Sequence, residues 1–111
     1  MTTNPFRACI EACQICAAAC ETCIDGCLHE HDVKAMVPCM KLDMDCSKIC
    51  NLAISYMATN SPYVAEICAL CAKICDACAA ECGKHNNDHC KACAEACKKC
   101  AEACRSMKKA A

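Results

Sequence analysis

Cysteine, alanine and aliphatic side chains recur along most of the chain at alternating steps of three and four, with charged and polar residues filling the intervals. That is the period of an α-helix carrying one apolar stripe, and no stretch alternates with the strand period of two. Asn4-Pro5 offers a cap followed by a first-turn proline and predicts a helix running to about Leu28. The stretch 29–32 reads as a turn. A second helix is expected from Val33 or Pro38 to Met57, with Thr59-Asn60-Ser61 breaking it. Ser61-Pro62 repeats the cap-and-proline signal for a third helix, which Gly83 closes as a C-terminal glycine. A fourth helix is expected from Asn87 or Asp88 to about Met107, ahead of a frayed tail over 108–111. Four helices of roughly twenty residues with short connections predict an all-α, antiparallel up-down-up-down four-helix bundle, one domain spanning 1–111, with its stripes turned inward.

The content of those stripes is unusual. Among the 111 residues are 19 cysteines and 21 alanines, whereas isoleucine, leucine and valine together number 14. The thiols run as Cys9, Cys13, Cys16, Cys20, Cys23 and Cys27 on the first helix, then Cys39, Cys46 and Cys50 on the second. The third carries Cys68, Cys71, Cys75, Cys78 and Cys82, and the fourth Cys90, Cys93, Cys97, Cys100 and Cys104. Helices three and four share one Cys-x2-Cys-x3-Cys-x2-Cys-x3-Cys element 22 residues apart, and helix one contains it from Cys13 onward. Such an internal repeat, on alanine-rich helices of strong intrinsic propensity, predicts a core lined with cysteine. One or two buried cysteines commonly serve as small hydrophobes, but alanine or valine would pack nineteen such positions without the reactivity.

Spacing then selects the chemistry. Eight Cys-x3-Cys pairs exist (9/13, 16/20, 23/27, 46/50, 71/75, 78/82, 93/97 and 100/104), leaving only Cys39, Cys68 and Cys90 outside them. Residues one turn apart share a face, so each pair offers two soft thiolates to one ion, with a neighbouring helix able to add a third. Cu(I) has that preference, whereas zinc wants four ligands in a closed tetrahedral site, usually built from loops and knuckles. If each sulfur bridges, the ratio approaches roughly one ion per cysteine. Cys9-x3-Cys13-x2-Cys16 also matches the cluster motif of radical enzymes, and Cys-x2-Cys recurs in redox proteins. Both matches arise automatically from the cysteine heptad, in a chain with no barrel and no βαβ pattern, so no enzyme is expected. An up-down topology gathers His29, His31, His85 and His89 at one end, with Met36, Met40 and Met44, as candidate soft ligands where an ion would arrive. Phe6, Leu52, Ile54, Tyr56, Met57, Tyr63, Val64 and Met107 gather at the other, as a plug. Asp43 falls on the helix-two stripe, facing the thiols or, after a modest rotation, solvent. The flanking rows Leu42, Ile49, Leu52 and Ile67, Leu70, Ile74 either seal helix against helix or form a subunit interface.

In these residues and spacings the chain resembles the bacterial copper storage proteins, cysteine-rich four-helix bundles that fill their interior with Cu(I). The resemblance covers the chain from Cys9 to Cys104 and rests on the repeated Cys-x3-Cys and Cys-x2-Cys spacings. It implies storage and sequestration of multiple Cu(I) ions by thiolates of the Cys-x3-Cys pairs, for detoxification or supply to copper enzymes. For members lacking an export signal it also implies a cytosolic, often tetrameric form. The metal ligands expected are the nineteen cysteines, with His29, His89, Met40 and Asp43 beside them. A formal charge of −1 with three aromatic residues gives nucleic-acid binding no support. No membrane span or signal core is legible, so a cytoplasmic location is expected, where cysteines more often bind metal than form disulfides. Expected partners are copper ions, further copies of the chain, and a copper chaperone or small thiol that exchanges the metal.

Overall fold

The computed structural model describes residues 4–107. Four helices form in chain order: α1 (Arg7–Leu28), α2 (Val37–Ala58), α3 (Val64–Cys82) and α4 (Asp88–Arg105), with a 3-10 turn over Val33–Met36 leading into α2. No strand forms among the described residues, and the tail expected over 108–111 lies outside them. Each helix packs on its chain neighbour and α4 closes against α1, while the diagonal helices meet only through side chains on the axis. The result is the expected antiparallel four-helix bundle, 49 × 25 × 17 Å.

The helix ends show where propensity rules were too coarse. Pro5 and Pro62 lie in turns ahead of the helices rather than at their first positions. Asn4 Oδ1 accepts the Phe6 N–H at 2.7 Å and Ser61 Oγ accepts the Tyr63 N–H at 3.1 Å, so each polar side chain closes a local turn before the helix begins. Asn4 also donates from Nδ2 to the Met57 carbonyl at 3.1 Å, tying the start of the chain to the end of α2. Both expected starts of helix two are used. The 3-10 turn opens at Val33, with Asp32 accepting from Ala35 N–H at 3.2 Å, and the α-helix proper opens at Val37 with Pro38 in its first turn. There a missing N–H breaks no helical bond.

Asn60 ends α2 with a φ of 52°. Its N–H bonds to Met57 O at 3.1 Å and that of Ser61 reaches back to Tyr56 O at 3.0 Å, a Schellman closure with asparagine in the left-handed position. Gly83 does close α3, yet with a helical φ of −64°. The closure is a tightening of the last turn instead, Lys84 and His85 bonding to the carbonyls of Glu81 and Cys82 at 3.1 Å each.

All nineteen cysteines are buried, none more than 2% exposed. Ala17, Ala53, Ala72, Ala79, Ala94 and Ala101 fill the spaces beside them. Phe6, Met57 and Val64 plug the end of the tube near the start of α1, with Ile54, Tyr56 and Met107 partly buried against the core. Leu52 and Tyr63, expected in that plug, are instead 44% and 60% exposed. On α2 the inward positions are Cys46, Cys50, Ala53 and Met57, so Leu52, one step before Ala53, turns outward. It lines a groove of about 230 Å³ with Ile49, Ile74, Asp45 and Lys48. Ile49 is buried and Leu42, Ile67 and Ile74 are partly so, which makes them the seal between helices, while Leu70 stays exposed.

Candidate metal centre

Turning four cysteine stripes toward one axis brings the sulfurs together in a fixed pattern. Sets of four lie with every Sγ within 4.8 Å of the others, among them Cys13/71/100/104, Cys16/46/50/75, Cys16/20/46/97, Cys20/78/93/97 and Cys23/27/39/90. Each of these sets takes one Cys-x3-Cys pair from one helix and a single thiol from each of two others. The sets also overlap, because Cys16, Cys20, Cys46 and Cys97 each belong to two of them. Neighbouring sulfurs touch at 3.4 Å (Cys46 and Cys75), 3.6 Å (Cys16 with Cys46 and with Cys97) and 3.6 Å (Cys13 and Cys100). All nineteen are free thiols. A run of shared, soft, deprotonatable ligands down the axis suits ions that accept two or three thiolates and tolerate bridging.

Asp43 faces the thiols and is fully buried. It stands three intervening residues after Cys39 and two before Cys46, at the place where a further cysteine would complete a Cys-x3-Cys pair. Its Oδ1 accepts S–H bonds from Cys93 at 3.1 Å, Cys78 at 3.2 Å and Cys82 at 3.5 Å, and Oδ2 accepts from Cys39 at 3.8 Å. The carboxyl thereby joins thiols of α2, α3 and α4, and no buried side-chain oxygen or nitrogen among the described residues lacks a partner. Burial, the largest cause, pushes the Asp43 carboxyl up to about 8. It is therefore mostly protonated at neutral pH.

The expected open end does gather histidine and methionine, but unequally. His89 turns inward, its Nδ1 3.5 Å from the sulfurs of both Cys23 and Cys90. Its Nε2 lies 2.8 Å from Oε2 of Glu30. His29 leaves the bundle just after α1 ends, its Nδ1 2.8 Å from the Asp25 carbonyl and its side chain 78% exposed. His85 pairs with Glu81 at 3.2 Å and His31 is exposed. Met36 and Met40 are buried beside the first turn of α2, whereas Met44 is 42% exposed. Glu30 and Gly26, the residues that hold His89, were not singled out by spacing. The signal available for Gly26 was a glycine inside an alanine-rich helix. At this end burial pushes the Cys27 thiol up to about 11 and the Cys90 thiol up to about 12. These ligands carry protons at neutral pH that a metal must displace.

The copper storage protein family model matches residues 2–109. The chain belongs to that family. Among solved structures, it is similar to the Cu(I)-bound Bacillus copper storage protein BsCsp3, at 55% identity and a TM-score of 0.88 over 91% of this chain and 95% of that one. A copper storage protein from Streptomyces lividans, loaded with 10 copper equivalents, aligns at 37% identity and a TM-score of 0.87, over 90% of this chain and 80% of that one. The uncharacterized cysteine-rich protein YhjQ of Bacillus subtilis is 56% identical over 65 residues, 59% of this chain. That match spans 60% of the length of the curated relative. Family membership agrees with the geometry: a copper storage bundle needs its thiols inside and reduced, and all nineteen are buried and free.

Proposed function

We propose that this chain is a Cu(I) store, a single copper-binding domain whose nineteen cysteines hold many ions as bridging thiolates along the bundle axis. The observation that carries the reading is the overlap of the sulfur quartets. Unshared tetrahedral sites would use the thiols up after about four ions, whereas sharing of Cys16, Cys20, Cys46 and Cys97 fuses three quartets into one cluster, with a further quartet on either side of it. Asp43 and His89 join the ligand set where they touch the thiols, Asp43 within the tube and His89 at its open end. Met40 and His29 serve the arrival of copper at that end, Met40 from beneath the first turn of α2 and His29 from the surface. Storage without catalysis is the role this supports.

Anaerobic titration of the reduced, metal-free protein with Cu(I) against a chromophoric chelator, with mass spectrometry of the loaded species, tests the reading. A break well above roughly ten ions per chain, with helicity kept, is the expected result. A break at about four or fewer, or a preference for zinc, overturns it.

Copper is proposed to arrive and leave by the His89 end, since Phe6, Met57 and Val64 seal the other. The expected compartment is the reducing cytoplasm, consistent with nineteen free thiols, and no described helix is long and apolar enough to cross a membrane. A homotetramer using the outward row of α2 and α3 is proposed on the exposure of Leu52 and Leu70 beside the Ile49–Ile74 groove. Exchange with a copper chaperone or a small thiol would serve supply to copper enzymes or detoxification.

A further inference from the structure

His89, in the first turn of α4, is held from two sides by groups that carry no sulfur. On one side its Nε2 lies 2.8 Å from Glu30 Oε2, in the turn after α1. An ionised carboxylate only accepts, so the neutral ring places its proton on Nε2 and leaves the Nδ1 lone pair free. That lone pair points between Cys23 and Cys90, 3.5 Å from each sulfur. On the other side the ring lies against Gly26 of α1. A Cβ on residue 26 would fall 2.6 Å from both Cγ and Cδ2 of His89 and 2.9 Å from Nδ1, distances at which the ring or the helices must shift. Gly26 makes no use of its conformational freedom, since no glycine among the described residues has a positive φ. Alanine is the better helix former at such a position. What glycine supplies here is room.

We propose that Glu30 and Gly26 are positioning residues for copper uptake: the carboxylate fixes the tautomer and turn of His89, and the absent side chain gives the ring its place, so that Nδ1 meets Cu(I) on its way to Cys23 and Cys90. The inference rests on the reading of the tube as a Cu(I) store loaded from this end. A carboxylate on the far nitrogen also makes an imidazole a better donor, and loss of such a partner typically lowers metal affinity or activity by about 10–100-fold. Without Glu30 the ring is free to flip or to swing toward solvent, and Nδ1 no longer faces the thiols.

The test uses reduced, metal-free full-length protein and anaerobic stopped-flow transfer of Cu(I) from a chromophoric chelator, for wild type, His89→Ala, Glu30→Ala, Glu30→Gln and Gly26→Ala. Long-range ¹⁵N–¹H NMR of the His89 ring is read in parallel. The wild-type ring is expected to show one neutral tautomer, protonated at Nε2. Glu30→Ala should mix the tautomers and slow the early uptake phase by about 10-fold, no further slowed when His89→Ala is added. Glu30→Gln, whose amide oxygen still accepts from Nε2–H, should restore most of the rate. Gly26→Ala should slow uptake equally with the carboxylate intact and helicity undiminished. Wild-type rates and an unchanged tautomer in both Glu30→Ala and Gly26→Ala, beside a slow His89→Ala, would overturn the positioning role and leave the uptake route standing. A wild-type rate in His89→Ala itself would overturn both, and low copper content in the wild type would instead strike the storage reading.

Discussion

Asp43 makes the metal-free bundle less stable as pH rises, and Asp43→Asn should remove that dependence. The carboxyl has no exposure to solvent and is surrounded by the thiols of Cys39, Cys78, Cys82 and Cys93. Burial moves it from an ordinary 3.8 to about 8 in the folded chain. The unfolded chain therefore releases this proton near pH 4 while the folded one keeps it to about pH 8. Between those limits the folded state binds more protons, so stability falls as pH rises. At about 1.36 kcal/mol per pH unit, the span comes to roughly 5 kcal/mol, a large fraction of the 5–15 kcal/mol typical of a domain. Asparagine keeps the shape and an oxygen that accepts S–H bonds but has no proton to lose. The assay is guanidinium unfolding of reduced, metal-free protein under anaerobic conditions, at pH values from about 4.5 to 8. Wild type should lose most of that stability across the range, the variant should stay nearly level, and the two should diverge most at the alkaline end. A wild type flat to within about 1 kcal/mol, or a variant with the same slope, would refute the placement of a neutral carboxyl among the thiols.

Copper affinity should move the opposite way, because Cys27 and Cys90 hold their protons to about 11 and 12 and a bound ion must displace them. Competition titrations at pH 6 and pH 8 should show weaker binding at the lower value, by up to roughly tenfold per pH unit for each proton released; equal affinities would mean thiols already ionised. Cys97→Ala should leave the copper content measured by native mass spectrometry within about one ion of wild type, since each of the two quartets above that Cys97 joins keeps three thiolates, as many as Cu(I) takes. A loss of two ions or more would show that those sites need their fourth, shared sulfur. Circular dichroism of the reduced apoprotein should already be helical, given alanine-rich helices whose thiols pack as small hydrophobes, and a random-coil spectrum would sink the preformed bundle. Leu52→Lys together with Leu70→Lys should reduce a tetramer to smaller species by light scattering while leaving copper content unchanged, and an unaltered mass would move the interface elsewhere.

How much of this was legible in the chain follows from how local each determinant is. The helical period, the up-down order and the inward cysteines were legible because they depend on spacing within one helix. Orientation across the bundle was harder. Asp43 falls on the α2 stripe by register alone, yet its inward placement depends on S–H donors from α3 and α4, which no single-helix argument supplies. Prolines 5 and 62 misled because Asn4 and Ser61 close turns two residues ahead of themselves, postponing the helices. His29 and His89 looked equivalent from sequence, both at the same end. They part because α1 stops at Leu28, releasing His29 to the surface, while α4 starts at Asp88 and carries His89 into its first turn.

The composition of the core explains how one chain can be folded when empty and still accept cargo. Before copper arrives, protonated cysteines and alanines pack as small apolar groups, and the bundle needs no metal to bury them. Apart from Met57 and Val64 of the plug, the fully buried side chains among the described residues are those of cysteine, alanine and Asp43, so the interior that copper would fill is lined by small groups. Each quartet draws sulfur from three helices, which means that every ion taken up also ties three helices together. Binding confined to the folded state stabilises that state further. The protonated Asp43 fits the same economy of size and charge: a neutral carboxyl can sit among thiols while the tube is empty, and it can release its proton when positive ions come to stand beside it.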